Sequence, residues 1–294
     1  MSIILNFKNV IKTVLKTVFG SRWFFESARF ISRYNKRPNL LSVTYHDTPY
    51  SEMMNFRKQM SWYKSEFDDC NLEELKCFLD EGVWGKSNPG IIITFDDGLA
   101  SNYTHASQIL DEFGFTGWFM VPAGIIDLPI HDHLAFAHDG LIDFSLTPEQ
   151  PRLFMSREQI LDLRSRGHQI VCHSFSHARL SEDLPKNQMD IEVKLAKQSL
   201  EEVLGERVDC FAWVGGEERS YSRLAMRVIE DAGYKYTFAT NCSPIYAKQS
   251  PMRLERYHVD VAFSLSEIRF AISYMYNILY RAKRGRVKNI LRGK

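Results

Sequence analysis

Two short stretches carry the side chains best suited to chemistry. "TFDDG" (94–98) sets two carboxylates, Asp96 and Asp97, side by side at the end of an apolar run, and "HSFSH" (173–177) sets two imidazoles, His173 and His177, four positions apart. Adjacent carboxylates repel, and a turn is satisfied by one Asp, so the pair implies a cation nearby. One carboxylate oxygen and two imidazoles are what a catalytic divalent ion needs while keeping a position open. An ion held that way acidifies water and polarises a carbonyl, and the other carboxylate is left to accept a proton. That combination hydrolyses amides or esters. Singly, each motif is weak, since DDG also serves plain turns and most HxxxH pairs are incidental. Together they are specific.

The elements that must position them alternate in type. "LLSVTYH" (40–46) and "GIIITFDDG" (90–98) read as buried strands, with "LEELKCFLDEG" as the helix between them. "SNYTHASQILDEFG" is an amphipathic helix ending at Gly114, and "FTGWFMVP" is a third strand. Residues 122–154 have no clear period and read as a long insertion, a kind of loop that is often functional. Ser156 and Gln159 form a capping box for a helix ending at Gly167, followed by the strand "HQIVCHS". A helix from about Gln188 to Leu204, the strand "RVDCFAWVGG", the helix "YSRLAMRVIEDAG" and the strand "YKYTFAT" complete the pattern. Such alternation predicts parallel βα units with right-handed crossovers. Five or more precede residue 241, enough for a closed or nearly closed barrel, with an open doubly wound sheet as the competitor. No GxGxxG or GxxxxGK[ST] supports a nucleotide-binding sheet, and no GxSxG supports a serine nucleophile. In a parallel barrel the C-terminal strand ends share the catalytic face, and both motifs sit at such ends.

Of the 294 residues, 45% are hydrophobic and 25% charged, the balance of a soluble globular protein. Five cysteines without a CxxC pair point to a reduced compartment. No apolar run reaches membrane-spanning length, and no secretory signal is evident, so the expected location is cytoplasmic. The net charge of +1 hides an asymmetry, with +7 in residues 1–40 and +7 in 281–294, leaving the body acidic. Residues 1–39 begin with an apolar face (Ile3, Ile4, Phe7, Ile11, Val14, Leu15, Val18) flanked by Lys8, Lys12 and Lys16. That helix either packs on the domain or lies in an anionic membrane interface. Residues 263–294 form a C-terminal amphipathic helix, capped by Ser264 and Glu267, and a basic tail, with the same two readings. The catalytic domain occupies 40–262. Nothing points to nucleic acid.

"TFDDG", "HSFSH" and the "TYH" of the first strand, in this order and over roughly residues 41–260, resemble the polysaccharide deacetylase family, the NodB-like carbohydrate esterases. "RLERYHVD" (253–260) is similar to a segment of its poly-N-acetylglucosamine deacetylase branch. The resemblance implies a distorted (β/α) barrel of about seven parallel strands, here with amphipathic helical extensions at both ends. It also implies removal of an N-acetyl group from an amino sugar. Asp96 is then the general base, and Asp97, His173 and His177 hold a divalent ion such as zinc. Backbone N–H groups near Trp213 and Gly215 face the oxyanion, His258 is the candidate acid, Arg256 orients a carboxylate, and His46 borders the pocket. The chain departs from the family pattern at Ala212, where many members carry Arg, and at Val214–Gly215, where they carry Pro-Tyr. The basic ends suggest a lipid-linked or precursor saccharide of a bacterial surface glycan, met at the inner membrane face. Two other functions compete: a deformylase or amidase acting on another C–N bond, and a non-catalytic glycan-binding barrel.

Overall fold

The computed structural model describes residues 39–145 and 152–293. The predicted N-terminal helix lies outside them. In chain order the strands are β1 (Asn39–Tyr45), β2 (Asp68–Asp69), β3 (Gly90–Phe95), β4 (Gly117–Val121), β5 (Gln169–Cys172), β6 (Cys210–Ala212), β7 (Tyr236–Ala239), β8 (Ile245–Tyr246), β9 (Leu254–Glu255) and β10 (Tyr257–His258). β1, β3, β4, β5, β6 and β7 pair in succession, all parallel. β9 then pairs with β7, and β10 with β1, again in parallel. Only Arg256 separates those two short strands, so one bent stave, 254–258, carries the sheet across the seam. The result is the expected (β/α) barrel with seven parallel staves.

Residue parity divides the interior from the outer layer, because successive strand side chains point to opposite faces. Leu40, Ile92, Trp118, Met120, Val171, Ala212, Phe238 and Leu254 share one buried cluster with Leu75, Phe78 and Leu79 of the helix Leu72–Asp80. The alternate residues, among them Val43, Ile93, Phe95, Phe119, Cys172 and Phe211, pack outward against Leu110, Leu163, Leu200 and Val228 of the surrounding helices. β3 is buried along its whole length, as parallel strands covered on both faces are. Continued toward the strand ends, the inward parity passes from hydrocarbon to polar groups: Ser42, Thr44, Thr94, Asp96, His173 and Arg256 are all buried. The core thus leads directly into the site.

Several elements differ from the sequence reading. An additional helix, Met53–Glu66, buries Phe56, Gln59, Met60 and Tyr63. Its polar Gln59 lies on the packed face because its amide reaches the carbonyls of Val261 (2.9 Å) and Phe263 (2.8 Å). The aperiodic insertion contains a helix, His133–Gly140. The helices beginning near Asn102 and Lys186 each include a wide π turn, Asn102–Ala106 and Ile191–Leu195. The C-terminal segment is not one helix but three, Leu265–Ala271, Tyr274–Leu279 and Arg281–Arg292. Ser273 breaks the run with an extended backbone (ψ 159°). Among the described residues no helix is long and apolar enough to cross a membrane.

Candidate active site

β3 delivers Asp96 by parity, and the chain then turns sharply. Asp97 and Gly98 both adopt left-handed backbone, φ 75° and 67°, a conformation that strains a non-glycine residue by roughly 1–3 kcal/mol. The positive φ at Gly98, with a Cβ there 2.5 Å from Ile125 Cδ1 and 3.2 Å from Pro122 Cδ, favours glycine. The turn lets two consecutive carboxylates face the same space. Beyond β5 the backbone is again left-handed at Ser174 (64°) and His177 (60°), which brings the second imidazole back toward the first.

Asp97 meets both rings. Its Oδ1 is 3.0 Å from His177 Nε2 and 3.6 Å from His173 Nε2. The opposite ring nitrogens contact carbonyls, His173 Nδ1 that of Ala212 at 3.0 Å and His177 Nδ1 that of Gly140 at 2.7 Å. A carbonyl only accepts, so each Nδ1 donates, which leaves each Nε2, on the Asp97 side, as the nitrogen able to lend its lone pair to a cation held between them. The three donor atoms lie within 4.8 Å of one another and all three residues are buried. These residues fit a divalent ion, and the His₂Asp donor set does not single out one metal.

The loop between the two histidines is itself clamped. Buried Glu192, from the π turn, accepts hydrogen bonds from the N–H groups of Phe175 (3.0 Å) and Ser176 (2.9 Å) and from the Ser176 hydroxyl (2.6 Å). Gly140, which carries the carbonyl facing His177, ends the helix within the insertion. Glu192 and Gly140 escaped the sequence reading. Neither belongs to a motif, and each acts across the fold.

Asp96 has a different partner. The guanidinium of Arg256, fully buried, forks onto both carboxylate oxygens, with Nη2–Oδ2 at 3.0 Å. Arg256 Nη1 also lies 3.2 Å from Thr44 Oγ1 and 3.0 Å from Thr94 Oγ1. Burial pushes the Asp96 carboxyl up, but Arg256 first, then His173 and His46, outweigh it and hold it below the usual value. Ala212 sits across the interior without a side chain long enough to interfere. The guanidinium that aims Asp96 enters from the closing stave.

The site opens into a cleft of about 810 Å³, lined by His46, Asp96, Asp97, His173, His177, Gly215 and His258 among others. The His46 and His258 rings lie 5.3 Å apart. Burial, then His46, lower the His258 pKa, against the opposing pull of Asp260 and Asp96. Trp213 corrects one expectation. Its ring is buried against Tyr221, 5.1 Å away, and its N–H donates to the Phe238 carbonyl at 2.9 Å. β6–β7 pairing consumes that donor, so Trp213 offers the cleft neither ring nor N–H. Gly215 does line it, with φ 74°. Arg179, Glu217, Thr240, Tyr280 and Lys283 also line the cleft although no motif pointed to them. Arg179, two residues beyond His177, was the most findable.

Comparison with known proteins agrees with this geometry. The family model described as polysaccharide deacetylase matches residues 85–237, just over half of the chain. No curated protein matches. Among solved structures, the Streptococcus pyogenes deacetylase PplD in complex with acetate aligns with TM-score 0.64 and 17% identity, over 81% of this chain and 99% of its own. IcaB from Ammonifex degensii aligns with TM-score 0.62 and 18% identity, over 80% and 98%. The BpsB deacetylase domain from Bordetella bronchiseptica aligns with TM-score 0.58 and 17% identity, over 76% and 96%. At such identities these likenesses concern the fold. The matched span takes in both motifs that open the cleft, and on that ground the chain belongs to the polysaccharide deacetylase family.

Proposed function

We propose that the protein is a metal-dependent hydrolase that removes the N-acetyl group from an amino sugar. One observation carries this reading: Asp97 and the Nε2 atoms of two imidazoles converge in a cleft while the neighbouring Asp96 is kept ionised by Arg256. Asp97, His173 and His177 would hold the ion, zinc being a natural occupant, and it would supply Lewis-acid polarisation and a more acidic water. Asp96 accepts the proton of the attacking water, its oxygens aimed by the Arg256 fork. Of the four N–H groups in 213–216, Trp213 is spent on Phe238 and Gly216 on Glu217 (3.3 Å). Gly215, which lines the cleft, is therefore the donor for the developing oxyanion. His258, lining the cleft beside His46, donates a proton to the departing amine.

The expected substrate is a lipid-linked or precursor saccharide, met in the cytoplasm at the inner face of the membrane. Exposed Ile278 and Leu279, just before the cationic helix Arg281–Arg292, favour peripheral contact with an anionic bilayer. The test of the reaction is acetate, detected by mass spectrometry, from N-acetylated hexosamine oligomers given to metal-loaded protein. Formate from N-formyl sugars with no acetate overturns the assignment. The membrane proposal fails if protein lacking residues 1–20 and carrying Ile278→Ser, Leu279→Ser, Arg281→Ser and Lys288→Ser partitions to anionic liposomes as well as the full chain does.

A further inference from the structure

The helix Arg281–Arg292 is not a loose tail. Val287 is 1% exposed, and Arg284 donates to the carbonyls of Asn241 (2.9 Å) and Cys242 (2.6 Å). Arg286 pairs with Glu218 at 2.8 Å. This anchoring brings Tyr280 and Lys283 to the wall of the catalytic cleft. The helix lies beyond residues 85–237, the span matched by the family model.

Charge in the cleft wall is uneven. Asp47, Glu52, Asp143 and Asp260 make one part acidic, whereas the permanent cations are Arg179 and Lys283. Arg179 is committed to Glu217 (3.4 Å). The carboxylate beside Lys283, Glu218, is taken by Arg286. No ion pair or hydrogen bond holds the Lys283 ammonium among the described residues. It lies over the Tyr280 ring, 5.1 Å from the centroid. It also stands in a first helical turn that has no acidic residue, where the helix dipole disfavours positive charge. A half-buried, unpaired cation facing a substrate cleft has a use if the substrate brings the counter-charge.

We infer that Lys283, backed by Tyr280, binds an oxyanion carried by the amino-sugar substrate, either a phosphoester or a sugar carboxylate. An ammonium engages such a group as a compact point charge, and the Tyr280 ring, itself stacked on Tyr276, holds that ammonium at the cleft wall. This inference rests on the hydrolase reading for its substrate, and the experiment separates the two. Metal-loaded protein is given N-acetylglucosamine 1-phosphate, an N-acetylated aminouronic acid and the neutral methyl N-acetylglucosaminide, with acetate release and calorimetric binding measured for each. Lys283→Ala raises KM for one or both charged substrates about tenfold (about 1.4 kcal/mol) with kcat within about twofold. Lys283→Arg restores it, Lys283→Glu worsens it, and the methyl glycoside is indifferent. Equal effects on charged and neutral sugars, or none, overturn the inference. If no sugar releases acetate yet calorimetry shows Lys283-dependent binding of either anion, the hydrolase reading fails and the anion subsite stands. If that binding ignores Lys283, the subsite falls.

Discussion

Arg256→Met isolates the electrostatic part of the mechanism. The variant keeps most of the side-chain length on the closing stave but removes a fully buried cation that contacts Asp96 through two bonds and also Thr44 and Thr94. Breaking a buried ion pair from one side costs about 3–5 kcal/mol, within reach of a domain of ordinary stability. Asp96 is left in a buried setting where burial is already the largest influence and pushes its pKa up. The acid limb of the pH profile of kcat/KM therefore moves toward neutrality. At neutral pH the rate falls by about 10²–10⁴, the range of a lost general base. Stability follows the same logic. The Asp96 carboxyl is held below its ordinary 3.8 in the folded protein, so its contribution is present above that value and lost as pH falls through the lower, folded one. The stability gap between wild type and variant accordingly narrows in strong acid. The assay is acetate release from pH 5 to 9 alongside metal content, which stays the same because Arg256 contacts none of the three metal-site residues. An unmoved acid limb with less than about a threefold loss, against the range above, refutes the reasoning.

Two further substitutions separate the supporting roles. Glu192→Gln removes the charged acceptor that clamps Phe175 and Ser176 between the histidines. It weakens metal affinity about 10–100-fold, read by chelator competition, while kcat at saturating metal changes little. His258→Asn lowers kcat by about 10²–10³ without altering metal affinity. Because burial and then His46 hold the His258 pKa below 6.5, its cationic form is lost as pH rises through that lower value, and the corresponding decline in kcat disappears in the variant.

The residues legible in the sequence are those whose role is local. Asp96 and Asp97 sit on one strand end and turn, His173 and His177 on another, and the helix–strand alternation was enough to place both turns on one barrel face. Arg256 was legible only as a residue near a carboxylate, because its partner is settled by barrel closure, which brings the 254–258 stave beside β1. Gly140 and Glu192 left no mark, since one acts through a backbone carbonyl and the other clamps a loop 16 residues before it. The helix Met53–Glu66 was obscured by Gln59, a polar residue on its buried face whose amide is satisfied only by the distant 261–263 loop. Trp213 misled because the parity that turns Ala212 inward sends the next side chain outward. In the C-terminal segment, cation spacing could not separate Arg284 and Arg286, spent on internal contacts, from Lys283, which faces the cleft.

The central claim is that Asp97, His173 and His177 gather one divalent ion on which sugar deacetylation depends. The direct measurement is acetate release by chelator-stripped protein titrated with zinc, beside Asp97→Ala treated alike. Activity that is absent at the start, rises with zinc, levels off at one ion per chain and never appears in the variant is the predicted result. Undiminished acetate release from the stripped protein, or equal recovery by Asp97→Ala, contradicts the account.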